Sequence, residues 1–302
     1  MNERIIGYTQ PLDHKKILEL ATIFTERYPF LGFSYLGESL LGRGIPLFTV
    51  GSGKKNLLYV GAHHGMEWIT SVILLRFLNE FCELYRNDKS IYRTSLYRFC
   101  EQYTVNVIPM LNPDGVEYQI HGITEENPLF ERLIKMNCGE DFSGWQANAR
   151  GVDLNHNYDA EFAEYKRESG ITEGAPTRYA GEFPESEPEV AQLCNWIRFH
   201  EDLRLILTLH TQGEEIYFDS RGKCPPASTA IARRISALSG YRLSHATGLA
   251  SYGGLTDWCI EKLGLPAFTI ECGRGKNPLP IANYFPIYAT LREVLFTIGK
   301  MV

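Results

Sequence analysis

The stretch Gly61-Ala62-His63-His64-Gly65-Met66-Glu67-Trp68-Ile69-Thr70 (61–70) decides how this chain is read. The residues leading into it, Leu57 to Ala62, form an apolar run of the length of a buried strand. From Glu67 to Arg86 the apolar positions Ile69, Val72, Ile73, Leu74, Phe77, Leu78 and Phe81 predict a long, largely buried helix. A strand passing straight into a helix is the first half of an α/β unit, and polar residues at such a junction sit where α/β folds place their sites. His64 and Glu67, three apart in a tight loop or first helical turn, lie about one turn from each other and can reach one ion.

An imidazole and a carboxylate suit zinc, and a catalytic zinc takes three protein ligands and leaves one position open. An HxxE pair arises often by chance, so the third ligand carries weight. His210 is the best candidate: it ends the apolar strand Leu203 to Leu209 and precedes Thr211-Gln212-Gly213. Glu271 ends the run Leu265 to Ile270 in the same way. An acidic residue closing a buried strand is costly without a partner or a task; the plainer alternative is a structural ion pair.

The rest of the chain fits the same architecture. Leu12 to Tyr28 has apolar residues at 17, 18, 20, 21, 23 and 24 and Asp13 placed to cap a helix. Leu47 to Val50 and Leu57 to Ala62 read as two strands around the turn Gly51-Ser52-Gly53-Lys54. Tyr103 to Pro109 is a further strand ended by a turn at Asn112-Pro113-Asp114-Gly115. His121 to Tyr179 is polar and without clear period, a long loop of the kind that is usually functional. Helices are expected at Pro188 to Glu201, Ser228 to Leu238 and Pro286 to Ile298, and a strand at Ala267 to Glu271. The expected fold is a three-layer α/β/α sandwich around a mixed, mostly parallel sheet. It is read as one catalytic domain over 1–302, with 1–34 a helical segment packed on it.

Composition excludes several classes. With 44% hydrophobic and 12% aromatic residues the chain can fill a core and is not disordered. A net charge of −6 offers no basic footprint for nucleic acid or an anionic membrane. The N-terminus has Arg4, His14, Lys15 and Lys16 but no apolar secretory core, and Trp68 to Leu78 is too short to span a membrane and is broken by Arg76. The seven cysteines form no CxxC pair, which suits free thiols and a cytoplasmic location.

Six segments in order now match a known pattern: GAHHGMEWIT (61–70), NPDG (112–115), GVDLNHNYD (151–159), LTLHTQ (207–212), YGGLTDW (252–258) and AFTIECG (267–273). From about Tyr35 onward the chain resembles the zinc metallocarboxypeptidases, the carboxypeptidase A-like peptidases. The resemblance implies one zinc per chain held by His64, Glu67 and His210, with Glu271 as general base. It implies that Asp153 receives the free N–H of His64, and that Asn155 helps bind a substrate carboxylate. His63 is then a loop histidine rather than a ligand. Charge developing on the scissile carbonyl oxygen needs a positive donor; Arg150 is assigned to it, with Gln146 the competing position and Arg132 further off.

One departure is informative. The family follows its DLN motif with an arginine that grips the substrate's terminal carboxylate; here the residue is His156, which cannot form the bidentate fork. Where pancreatic-type enzymes have a mobile tyrosine this chain has Leu249, with Tyr252 out of register. The His156 variant resembles the bacterial γ-D-glutamyl-diamino acid endopeptidases, which implies cleavage between D-glutamate and meso-diaminopimelate, or lysine, in peptidoglycan stem peptides. Thr256, Trp258 and Arg274 are assigned to the pocket for the leaving residue, although Trp258 in the core and Arg274 in solvent are equally plain readings. The partner is then a peptide or muropeptide, with no nucleic acid and no membrane. The competing readings are a broad carboxypeptidase, an aspartoacylase-like zinc deacylase, and a degenerate family member that only binds.

Overall fold

A computed structural model describes residues 10–302; Arg4 and the rest of 1–9 lie outside the described residues. The chain begins with helix α1 (His14–Arg27), whose N-cap Asp13 accepts the Lys16 N–H. Strands β1 (Gly32–Glu38), β2 (Gly44–Val50) and β3 (Lys55–Val60) follow, then α2 (Ile69–Arg86). A small ribbon of β4 (Ser90–Ile91) and β5 (Thr94–Ser95), helix α3 (Leu96–Gln102) and β6 (Tyr103–Ile108) come next. Beyond them lie α4 (Pro113–His121), α5 (Phe130–Asn137), α6 (Phe162–Ser169) and α7 (Pro188–Phe199). The last third holds β7 (Leu203–His210), β8 (Glu215–Tyr217), α8 (Ser228–Ser239), β9 (Arg242–Ser244), α9 (Leu255–Leu263), β10 (Ala267–Glu271) and α10 (Tyr284–Thr297).

Among the described residues eight strands form one mixed sheet in the order β1-β2-β6-β3-β7-β10-β8-β9. The four central strands, β6, β3, β7 and β10, are mutually parallel, so their carboxyl ends meet at one edge. They are apolar on both faces because both are covered. Leu57, Tyr59, Leu205, Leu207, Phe268 and Ile270 pack on one side with α1, α2, α8 and α10. Leu58, Val60, Ile206 and Ala267 pack on the other with α7 and α9. The expected α/β/α layering is present.

Three sequence readings change. β2 and β3 are not a hairpin: β6 lies between them, antiparallel to one and parallel to the other. The link through Gly53 is tight for a tertiary reason, since a Cβ there would sit 1.9 Å from the Gln102 carbonyl carbon. Asn112 does not close an isolated turn; its side chain accepts the Gly115 N–H and starts α4, with Pro113 in the first turn. The segment 121–179 holds two helices, α5 and α6, of eight residues each, too short to display a period in sequence. All seven cysteines are unpaired, and no helix among the described residues is long and apolar enough to cross a membrane.

Candidate active site

The site lies at the edge where the parallel strands end. His64 and Glu67 stand in the turn between β3 and α2; His210 is the last residue of β7, and Glu271 the last of β10. His210 and Glu271 are register partners on adjacent strands. The turn itself is fixed by main-chain contacts. Gly65 donates its N–H to the Gln146 carbonyl at 2.9 Å. Gly65 also passes so close to α4 that a Cβ would lie 2.3 Å from the Gly115 carbonyl oxygen.

Glu67 faces both histidines: one carboxylate oxygen is 3.0 Å from His64 Nδ1, the other 3.0 Å from His210 Nδ1. The two Nδ1 atoms are 3.3 Å apart, and one ligand atom from each of the three side chains lies within 4.8 Å of the others. All three residues are buried. His64 Nε2 bonds Asp153 Oδ1 at 3.2 Å. A carboxylate only accepts, so the proton sits on Nε2 and the Nδ1 lone pair turns to Glu67 and His210. Two imidazole nitrogens and a carboxylate converging out of water make an arrangement that a divalent cation satisfies, and the donor set fits zinc.

Asp153 is itself held from behind. Its second oxygen accepts Gln146 Nε2 at 2.9 Å and the Arg178 N–H at 3.1 Å. Burial opposes its ionisation, yet His156, His64 and these hydrogen bonds hold the carboxyl well below the usual carboxylate range. Glu271 is pushed the other way: burial, then the neighbouring Glu67, raise its carboxyl above the ordinary value.

A cavity of about 190 Å³ opens beside the triad, lined by His64, His210, Glu271, Asn155, His156 and Thr256 among others. The sequence reading missed Tyr217, Asp219 and Asp257 in its walls. Asp219 follows β8 by two residues and bonds His245 at 2.7 Å; burial pushes the Asp257 carboxyl up to about 6. Only proximity to strand or helix ends marked these residues in sequence, and the ligand motifs overshadowed it. Asn277 was missed as well; its side chain reaches Glu67 at 3.5 Å from a distant loop.

Not every assigned residue arrives. The Arg150 guanidinium pairs with Glu187 at 3.6 Å, and Arg150 is not among the residues that line the cavity. Gln146, its competitor, is spent on Asp153. Trp258 is a core residue on the buried face of α9, beneath Arg198 at 5.1 Å. Arg274 points to solvent and pairs with Glu214. His63 stacks on His210 and bonds Tyr158 and Thr208, outside the converging triad.

Known proteins resemble this chain in sequence and in fold. The family described as zinc carboxypeptidase matches residues 17–294. A curated relative, gamma-D-glutamyl-L-diamino acid endopeptidase 1 of Lysinibacillus sphaericus, is 34% identical over 286 residues, 94% of this chain and 71% of that protein. The crystal structure of thrombin activatable fibrinolysis inhibitor superposes with a TM-score of 0.78 at 20% identity, covering 100% of this chain and 75% of the other. The murein-tripeptide amidase MpaA from Escherichia coli O157 superposes at 0.54 with 21% identity, over 89% and 91%. With its triad and its sheet, this chain belongs to the zinc carboxypeptidase family and is a zinc metallopeptidase.

Proposed function

We propose that this enzyme hydrolyses the amide between the γ-carboxyl of D-glutamate and the L-centre of a diamino acid in peptidoglycan stem peptides. The observation that carries the reading is His156 in a cavity without lysine or arginine among its lining residues, where a carboxypeptidase needs a cation. The name of the relative at 34% identity supports the bond. The acidic walls, Asp219 and Asp257, suit the ammonium that any diamino acid carries.

His64, Glu67 and His210 would hold the zinc, which when bound polarises the scissile carbonyl and acidifies water. Asp153 keeps His64 in the tautomer that offers Nδ1. Glu271 lines the same cavity and takes the proton of the attacking water, then returns it to the leaving amine. Asn155 and Thr256 line the same cavity and would face the leaving residue.

The test is hydrolysis of L-Ala-γ-D-Glu-meso-diaminopimelyl-D-Ala read by mass spectrometry. Release of diaminopimelyl-D-Ala, abolished by a zinc chelator, is expected. Release of D-Ala alone would return the enzyme to the broad carboxypeptidases and sink the proposal.

A further inference from the structure

Two side chains of the cavity are each half-committed. Asn155 Oδ1 accepts the Leu255 N–H at 3.3 Å, which turns the Asn155 amide so that its oxygen is used and its Nδ2 is not. His156 Nδ1 lies 2.8 Å from the Tyr252 carbonyl oxygen. A carbonyl only accepts, so Nδ1 carries the proton and a neutral ring presents Nε2 as a lone pair. Burial pushes the imidazole below its usual value, which favours that neutral form. The ring is fixed in place by stacking on Tyr165, centroids 4.0 Å apart. Gly253 packs against the His156 backbone, where a Cβ would lie 2.8 Å from its carbonyl oxygen, and this fixes the main chain that carries the ring. Among the described residues neither Asn155 Nδ2 nor His156 Nε2 has a hydrogen-bond partner, and both residues line the cavity.

One donor beside one acceptor is the complement of a secondary or primary amide. A carboxylate needs donors on both oxygens and would set one of them against the Nε2 lone pair, desolvated and unpaired. We infer that Asn155 and His156 read an amide at the α-carboxyl of the leaving residue: Asn155 Nδ2 donates to its carbonyl oxygen and His156 Nε2 accepts the following N–H. The preferred substrate therefore continues past the diamino acid, or is amidated there, and the enzyme acts inside a peptide rather than at its terminus. This rests on the proposed bond for the identity of the leaving residue, not for the amide preference itself.

Two readouts separate the claims. In turnover, stem peptides ending in a free α-carboxylate at the diamino acid are compared with the same peptides amidated or extended by D-Ala. In binding, calorimetry on zinc-loaded Glu271→Gln protein compares γ-D-Glu-L-Lys with γ-D-Glu-L-Lys-amide. The amide is expected to be favoured at least about tenfold in both, the size of one lost buried hydrogen bond to a charged group. His156→Phe keeps the stack on Tyr165 and removes the acceptor, so the ratio should shrink toward one. His156→Arg should reverse it by restoring a carboxylate fork. Equal or better handling of the carboxylate by the unsubstituted cavity, or no binding of either form, overturns the inference. An amide preference in binding with no stem peptide cleaved would instead overturn the bond and leave the inference standing.

Discussion

Glu271→Gln separates the proposed base from the candidate metal site. The amide is isosteric and leaves His64, Glu67 and His210 intact, so zinc content should stay at one per chain while kcat falls about 10²–10⁴-fold. Metal analysis beside kinetics checks both halves; a kcat within tenfold of the parent would remove Glu271 from the reaction. Asp153→Asn makes the opposite cut. It keeps the size and one acceptor but turns an NH2 toward the Gln146 and Arg178 N–H donors. Zinc affinity should drop about 10–100-fold in a chelator competition, because His64 loses its fixed tautomer and orientation. Unchanged affinity would mean that the Asp153 bond is incidental.

At the scale of elements, the first turn of α7 stores a cost. Glu189 is wholly buried near Asp114 and Glu187, and burial, then those two charges, push its carboxyl up to about 8. Unfolded, it titrates near 4.5, so between these values the folded protein holds a proton that the unfolded chain has lost. Stability therefore falls as pH rises through that window, each tenfold change in proton affinity being worth about 1.4 kcal/mol. Glu189→Gln should leave Tm near its parent value at pH 4.5 and raise it by several degrees at pH 9; a parallel drop at both would refute the account. Gly65→Ala tests a different element, the turn before α2. Its Cβ would meet the Gly115 carbonyl oxygen, so both Tm and zinc affinity should fall. These elements also mark what was legible. The strands that end in His210 and Glu271 announced themselves by apolar runs stopped by a polar residue, and the HxxE spacing in 61–70 offered His64 and Glu67, which the fold brings together with His210. Arg150 did not, because spacing along a loop says nothing of direction, and a buried carboxylate, Glu187, claims the guanidinium. α5 and α6 stayed hidden because eight residues give barely two turns of pattern.

Over the whole molecule, a zinc ion held as proposed by His64, Glu67 and His210 would join segments that the chain sequence separates widely, the β3–α2 turn and the end of β7. Binding to the folded state alone stabilises it by about 4 kcal/mol at free zinc a thousandfold above Kd. Thermal melts should therefore fall on the order of 5–10 °C when a chelator strips the protein, and His210→Ala should melt at one temperature with or without zinc. A melt of the parent protein indifferent to chelation would place the ion outside the fold's energetics. The register of β7 against β10 has a longer reach. His210 and Glu271 are placed opposite each other by main-chain hydrogen bonds, which any residue with an N–H and a C=O supplies. The spacing between the candidate metal site and Glu271 is thus set through the backbone rather than by the particular side chains that fill the core around it. That is how a structure sharing only 20% of its residues with this one can still superpose at a TM-score of 0.78. A single residue inserted in either strand would move one partner past the other and undo the spacing on which the proposed mechanism rests.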